Sequence, residues 1–289
     1  YVGVVIHMLG VGFIDTIKII FAASVPLSAF FMFLASRNVW KNDWAGIISS
    51  VLYLYFPYRL VDLFVRGSIG ESVAFVLFPL ILYSVSKLID NPKNWYFNVI
   101  SGLSFAALIL THNIMAVLFS LTLGIICLAY LAIRKVEIVK NLIFIIVSGF
   151  TLSAFFSLPA LLEKNNILLS QIPIANRDLY FVSLSKLLFS PWGYGVPTDK
   201  LNGFTYQLGW PFLLVIFVLI GLLVFKSFKE RIKRNDVLFA AVLVMGILLL
   251  TLFMFKPFGF VWKLPLLSEI NYPWTMLSQL GFLTAILAG

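Results

Sequence analysis

Nine stretches of mostly apolar residues, separated by short polar connections, dominate this sequence. A helix needs about 20 apolar residues to cross the hydrocarbon core of a bilayer, so each stretch predicts a membrane-spanning helix. The runs lack the alternation of apolar and polar residues that lipid-facing β-strands require, so an all-α polytopic membrane protein is predicted. The nine predicted spans are 16–36, 44–60, 71–89, 95–111, 114–133, 141–160, 208–225, 236–255 and 272–289.

The composition excludes most other classes of protein. Of the 289 residues, 61% are hydrophobic and 11% are charged, whereas a soluble domain is about half apolar and about a quarter charged. A soluble enzyme could not hide this much apolar surface, and the single cysteine, Cys127, cannot form an internal disulfide. The net charge of +9 is typical of a membrane protein that keeps Lys and Arg in its cytoplasmic loops, so no nucleic-acid partner is predicted.

The chain begins at Tyr1 and stops at Gly289, in both cases within an apolar run, and it shows no signal-peptide pattern. We therefore interpret residues 1–289 as a single transmembrane domain that is an internal piece of a longer protein. Residues 1–13 are expected to be the end of an earlier span or a helix lying at the membrane interface.

The charges predict the orientation of the spans. Every second connection is short and basic, and these connections together carry a net charge of +7, against +2 for the other side. The positive-inside rule places the basic side, whose most basic stretch is 226–234, in the cytoplasm. Within the long outer loop 161–207, the apolar stretch 179–189 predicts an ordered segment lying on the membrane. The outer side then holds 1–15, 59–70, 111–113, 161–207 and 256–271.

The densest group of ionisable residues is Arg59, Asp62, Arg66 and Glu71. Such groups are costly at membrane depth and are therefore candidates for a functional site. Asp62 and Arg66 are four residues apart and share a helix face, and Glu71 falls at the start of the next span, where the helix dipole favours negative charge. Two interpretations remain open. The group is either an ion-paired cap that orients two helices, or a site whose arginines bind an anionic head group bidentately.

Three further residues lie at the ends of outer-facing spans. His112, in the sequence THN, is either a hydrogen-bonded structural residue or a contact for substrate, a proton or a metal. Glu163 follows a span that Pro159 is expected to kink, and Glu269 precedes a Pro-Trp helix start whose aromatic residues are expected to anchor at the membrane interface. No second histidine lies at metal-ligand spacing, so no zinc site is predicted. No nucleotide, NAD or serine-hydrolase motif is present.

Taken in order, these motifs resemble a known family. PYRLVDLFVRGSIGE at 57–71 is followed by LTHN, by a Pro-then-Glu span end, by Gly-Trp at 209–210 and by Pro-Trp at 273–274. This order resembles a group of bacterial and archaeal membrane proteins commonly labelled "6-pyruvoyl-tetrahydropterin synthase-related". The resemblance covers nearly the whole chain, and PYRLxDLxVRGxxxE is its most specific part. Thr275 departs from the pattern, because members of the group tend to have Arg after Pro-Trp.

That group is similar in topology to the GT-C glycosyltransferases, and the resemblance implies a GT-C-like helix bundle acting on the outer face of a prokaryotic plasma membrane. It implies a polyprenyl-phosphate-linked sugar donor as partner, besides membrane lipids. GT-C enzymes place an acid in their first outer loop, where it acts as a general base or as a metal-linked acid, so the resemblance puts the catalytic acid upstream of Tyr1. It leaves the cofactor open, either none or a divalent metal ion. A transporter or flippase of a lipid-linked or polar substrate, and a non-catalytic assembly subunit, are the alternatives. The predicted substrate-binding residues are Arg59, Asp62, Arg66, Glu71, His112 and Glu163.

Overall fold

A computed structural model describes residues 2–163, 166, 177–195, 203–224 and 233–289. This part of the chain is helical apart from its turns and one isolated bridge between Gly195 and Gly203, which confirms the all-α prediction. The helices are α1 Val2–Met8, α2 Phe13–Trp40, α3 Asp43–Leu54, α4 Pro57–Val61, α5 Ile69–Asp90, α6 Trp95–Thr111, α7 Asn113–Ala132, α8 Ile138–Leu152, α9 Ala154–Leu162, α10 Leu184–Leu188, α11 Trp210–Val224, α12 Arg234–Phe253 and α13 Leu277–Ala288. A π-helical turn covers Asp62–Arg66, and 3-10 turns cover Arg177–Tyr180, Lys256–Lys263, Leu267–Glu269 and Pro273–Met276.

Four of these helices, α2, α5, α7 and α12, are long and apolar enough to cross a membrane. Two bent pairs would add one span each: α3 with 57–66, bent by 45°, and α8 with α9, bent by 78°. The described residues therefore support four to six spans by length and composition, and the count of nine is not confirmed. The difference arises because α6, α11 and α13 have 17, 15 and 12 described residues, which makes them short for a bilayer.

The bundle is organised around α5. Of the most apolar 18 residues of α5, 67% are buried, compared with 28% for the same length of α2. Phe78 of α5 stacks on Phe119 of α7 with ring centroids 4.5 Å apart, and Phe282 of α13 meets both rings edge-on. Offset-stacked and edge-to-face pairs at such distances stabilise a core beyond the apolar area they bury. These three rings connect a helix from the first third of the chain to the last helix.

Contacts between helix termini define two ends of the bundle. At the site end, the segment 57–71 meets the α6–α7 turn and the segment 254–274. At the basic end, Lys41 pairs with Asp90, and the indole of Trp40 donates a hydrogen bond to the carbonyl of Ile286 (2.7 Å). The connections that the charge pattern assigned to one side of the membrane therefore lie at the same end of the bundle. The assignment of the basic end to the cytoplasm stays a prediction.

Two sequence predictions concern segments that are only partly described. Most of the basic stretch 226–234, and residues 164–165, 167–176 and 196–202 of the long loop, lie outside the described residues. Within that loop, the apolar stretch 179–189 contains α10 and is ordered around Leu187, which is buried. The predicted N-terminal stub contains α1, a seven-residue helix with no buried residue.

Candidate functional site

The charged stretch 57–71 folds into a tight reversal at the site end. Pro57 begins α4, and the π-helical turn continues it to Arg66. Gly67 then adopts φ 59°, the left-handed region that favours glycine, and the chain turns into α5. Glu71 consequently lies in the first turn of α5, facing the turn that carries Asp62 and Arg66. Local π-helical geometry of this kind is frequent at functional sites.

Four side chains of this reversal form one hydrogen-bonded group, the Arg66 cluster, made up of Tyr58, Asp62, Arg66 and Glu71. Arg66 Nη2 lies 2.7 Å from Glu71 Oε1, and Arg66 Nη1 pairs with the carboxylate of Asp62. The same Nη1 donates to the Tyr58 hydroxyl (3.0 Å), which in turn donates to Glu71 Oε2 (2.6 Å). The planar guanidinium reaches these three partners from two nitrogens, whereas Lys would have to reach them from one.

The Arg66 cluster is buried but reaches the surface at one point. The side chains of Asp62 and Glu71 are 0% and 1% exposed, whereas that of Arg66 is 22% exposed. A buried ion is tolerated only when it is paired and hydrogen-bonded. Both carboxylates are paired with Arg66, but Asp62 Oδ2 has no hydrogen-bond partner among the described residues. This is the arrangement that the ion-paired interpretation predicts, since an incoming phosphate would compete with two carboxylates for Arg66.

Arg59 lies nearby but is directed into the core. Its side chain is fully buried, and Nη2 donates to the carbonyl of Ser24 on α2 (3.1 Å). Its guanidinium lies 5.2 Å from the ring centroid of Phe75 and 5.6 Å from that of Tyr53. Arg59 therefore connects α4 to α2 and α5 through a carbonyl and two ring faces. Its buried Nε and Nη1 have no hydrogen-bond partner among the described residues.

His112 joins the Arg66 cluster from the α6–α7 turn. Its Nδ1 accepts a hydrogen bond from the Met115 backbone N–H (3.3 Å) and caps α7. Neutral imidazole has one acceptor and one donor nitrogen, so the proton belongs on Nε2, which lies 3.8 Å from Glu71 Oε1. Burial lowers the pKa of His112 below its usual value, although the Glu71 carboxylate acts in the opposite direction.

The close approach between the start of α5 and the α6–α7 turn depends on Gly70. A Cβ at this position would lie 2.9 Å from the carbonyl oxygen of Thr111 and 3.1 Å from Cδ2 of His112. No side chain fits there without a shift of the α6–α7 turn. Glycine at 70 therefore sets the distance between Glu71 and His112.

Sequence reasoning missed two members of the site. Tyr58 lies inside the charged motif, and its hydroxyl between Arg66 and Glu71 could have been anticipated from its position eight residues before Arg66 on a helical segment. The Trp274 ring lies over the Arg66 guanidinium with a centroid distance of 4.8 Å. Trp274 was expected at the membrane interface, but it is buried and stacks on Tyr272 (5.1 Å). No local pattern connects residues 66 and 274, so the sequence carried no signal for this contact.

The remaining predicted residues lie apart from the Arg66 cluster. Glu163 is exposed at the end of α9, and none of its contacts within the described residues connects it to Arg66. No group of three His, Cys, Asp or Glu residues in the described part of the chain has the arrangement of a metal site. Asp62 and Glu71 are engaged with Arg66 and Tyr58, so no metal-dependent step follows from these residues.

An apolar groove of about 720 Å³ begins one residue along the chain from His112, and no residue of the Arg66 cluster lines it. It lies between α6, α7, the α8–α9 bend and the segment 265–270, and Asn113 at its rim directly follows His112. Its volume is that of pockets which hold small organic ligands. Its polar lining is confined to Asn113, Ser120, Ser157, Ser268 and Glu269, and its apolar lining includes Phe105, Ile109, Ile114, Val117, Ile146, Phe150, Phe156, Ala160 and Leu161.

Comparison with known proteins relates the chain to one described family. The profile of the family described as "6-pyruvoyl-tetrahydropterin synthase related domain; membrane protein" matches residues 1–288. No curated protein and no solved structure matches the chain. The matched range includes the Arg66 cluster, the α6–α7 turn and every wall of the groove.

Proposed function

The chain belongs to the 6-pyruvoyl-tetrahydropterin synthase related family of membrane proteins, and from this premise we propose that it binds a lipid-linked substrate at the site end of the bundle. The proposed activity is that of a GT-C-type glycosyltransferase. Its donor is a polyprenyl-phosphate-linked sugar, and its site faces outward from a prokaryotic plasma membrane. In this proposal all nine apolar stretches cross the bilayer, with the short helices completed by their flanking residues.

The observation that carries the proposal is that Asn113, which lines the apolar groove, directly follows His112, whose Nε2 lies 3.8 Å from Glu71 Oε1. The hydrocarbon chain of the substrate lies in the groove, and its head lies at the rim beside Asn113. Lipid tails are as apolar as the groove, so entering it brings little hydrophobic gain. Selectivity must therefore come from the head group and from the shape of the groove.

Arg66 and His112 are partly exposed and can meet this head group. Of the five guanidinium N–H donors, two are left by Tyr58, Asp62 and Glu71, and neutral His112 offers Nε2–H. Asp62, Glu71 and Tyr58 hold these donors in place, so little reorganisation is needed when an anionic oxygen arrives. In this proposal the described residues bind and orient the donor, and the proton of the acceptor hydroxyl is assigned to none of them.

The groove can be filled without disturbing the core. Ala160→Trp places an indole in the groove from an exposed position on α9, and Ala22→Trp makes the same change on the exposed face of α2. Binding of a polyprenyl-phosphate-linked sugar in phosphatidylcholine nanodiscs would be followed by native mass spectrometry. We expect Ala160→Trp to weaken binding by about tenfold, or about 1.4 kcal/mol, and Ala22→Trp to leave it unchanged. Equal affinity in the wild type, Ala160→Trp and Ala22→Trp would contradict the proposal.

A transporter or flippase remains the second candidate. Transport predicts ionisable groups near the middle of the membrane and access from both sides. In the four long helices α2, α5, α7 and α12, the charged residues lie near the helix ends, which favours a site open to one side; these residues are Asp15, Lys18, Arg37, Glu71, Lys87, Asp90, Arg234 and Asp236. Proteoliposomes distinguish the candidates, because a flippase moves the labelled head group across the bilayer without transferring its sugar. Binding with neither movement nor transfer would identify an assembly subunit.

A further inference from the structure

A second cavity, of about 500 Å³, lies at the basic end, away from the groove and the Arg66 cluster. It is formed by the end of α2, the turn that follows and the last turns of α5. The proposed function does not use it. Its lining consists of Leu34, Arg37, Asn38, Lys41, Asp43, Tyr83 and Lys87.

The polar wall of this cavity is held by contacts between α2 and α5. Lys41 ends α2 with φ 54° and pairs with Asp90 at the end of α5. The Asn38 amide donates to Ser86 Oγ (2.9 Å) and to the Asp90 carboxylate (3.1 Å). The two helix ends thus form a fixed frame, and a ligand bound between them would not need to order it.

The charge of the cavity is positive. Arg37 pairs with Asp43, and Lys41 pairs with Asp90, so each of these two carboxylates is matched by one cation. Lys87 is the additional cation, and its Nζ lies 5.5 Å from the centroid of the Tyr83 ring. No carboxylate pairs with Lys87 in the part of the chain that the structure describes. The cavity therefore favours an anion.

The depth of the cavity matches that of lipid head groups. Exposed Trp44, Trp95 and Tyr96 lie on connections at the same end, and such aromatic residues concentrate at the membrane–water interface. Leu34 and Tyr83 form an apolar wall that leads from the cavity along α2 and α5 toward the bilayer core. A ligand with an anionic head and an apolar body fits both features, and a soluble anion would use only the first.

We propose that this cavity binds the phosphate of an anionic phospholipid from the leaflet at the basic end. Arg37 and Lys41 donate hydrogen bonds to the phosphate, Lys87 supplies the unmatched charge, and the glycerol and upper chain lie against Leu34 and Tyr83. Basic pockets between transmembrane helices are a recurrent mode of anionic-lipid binding. The positive-inside rule makes this the cytoplasmic leaflet, in which such lipids are common.

The test compares two lysines at the basic end. Lys87→Gln removes the unmatched charge, and Lys140→Gln removes an exposed lysine of α8 that lies 4.0 Å from Glu137. The whole protein would be purified in nanodiscs of phosphatidylcholine with phosphatidylglycerol, and the retained lipids counted by native mass spectrometry. We expect the wild type to retain phosphatidylglycerol in preference to phosphatidylcholine. Lys87→Gln should lose about tenfold in affinity, since tenfold corresponds to about 1.4 kcal/mol, the lower end for a hydrogen bond to a charged group.

Lys140→Gln should bind the anionic lipid like the wild type, and Lys87→Arg, which keeps the charge, should retain most of the affinity. Equal losses in Lys87→Gln and Lys140→Gln would show that only the overall charge of this end matters, and would overturn the proposal. Displacement of the lipid by millimolar inorganic phosphate would also overturn it, because the cavity would then be a soluble-anion site. Melting temperatures of all variants, measured in phosphatidylcholine alone, establish that each one is folded.

Discussion

At the residue scale, Arg66 is both the most connected cation of the site and its most exposed charged group. Its three partners come from α4, the π-helical turn and α5, so one guanidinium joins three consecutive elements. A role in stability and a role in binding are therefore both expected of it, and they can be separated by experiment.

Arg66→Lys should lower the free energy of unfolding, because one ammonium nitrogen would replace the two guanidinium nitrogens that reach Asp62, Glu71 and Tyr58. We expect a loss of about 1–3 kcal/mol, the value of a hydrogen bond to a charged group or the cost of leaving one buried group unpaired. Arg234→Lys is the matched control, because Arg234 is exposed at the start of α12 and surface substitutions usually change stability by about 0.5 kcal/mol or less. Thermal melting in detergent and lipid binding would be measured together. A lowered melting temperature with unchanged affinity for polyprenyl phosphate would leave Arg66 as a structural residue only.

His112 should make the stability of the protein depend on pH. Its pKa in the folded protein is lowered, first by burial, so the folded state binds fewer protons than the unfolded state, whose histidine has a pKa of about 6.5. Stability is therefore complete above about pH 6.5 and is lost as the pH falls from there to the lowered value. Protonation would also remove the Nδ1 acceptor that caps α7. The melting temperature would be measured from neutral to mildly acidic pH. Its dependence on pH should become weaker in His112→Gln and stay as in the wild type in His7→Gln.

At the scale of elements, the contact between the start of α5 and the α6–α7 turn depends on one missing side chain. Gly70→Ala should destabilise the protein, because its methyl group meets a backbone oxygen at 2.9 Å, and backbone shifts of this kind cost about 1–3 kcal/mol. Gly124→Ala is the control, since nothing lies within 4 Å of its Cβ and Ala is preferred in a helix. We expect the control to be neutral or stabilising. Equal melting temperatures for the two variants would contradict the close approach.

The sequence predicted the positions of the helices better than their ability to span a membrane. Hydropathy reports where an apolar run begins and ends, and these limits agree with helices such as α6 and α7 to within a few residues. It does not report bends. The break before Pro57 was not foreseen, and the predicted span 141–160 bends at Ser153 and not at Pro159, where a kink was expected.

In the site, contacts between residues close in sequence could be predicted, and contacts between distant residues could not. The pairing of Asp62 with Arg66 follows from their spacing of four residues. The inward direction of Arg59 and the contact between the Trp274 ring and the Arg66 guanidinium depend on which helices pack together. Spacing along the chain contains no information on that packing, so these two features could not be predicted.

At the scale of the whole molecule, the open question is which end faces the cytoplasm. The charge pattern predicts the basic end, and single cysteines can test this in a Cys127→Ala parent protein. Val136→Cys, exposed between α7 and α8, should react with a membrane-impermeant maleimide only in inverted vesicles. Tyr194→Cys, exposed at the site end, should react only in intact cells. The reverse pattern would invert the orientation and place the proposed donor site inside the cell.

The burial of Glu71 at one end of α5 and the position of Lys87 near the other have a consequence for the surrounding lipid. The two residues are 16 positions apart, or about 24 Å along a helix axis, whereas the hydrocarbon core of a bilayer is about 30 Å thick. A span shorter than the local hydrocarbon thickness draws the two lipid surfaces toward each other around it. The length of α5 between these two charges is therefore shorter than an average hydrocarbon core, although its 22 residues together are long enough to span it, and lipids with shorter acyl chains should raise the melting temperature relative to lipids with longer ones.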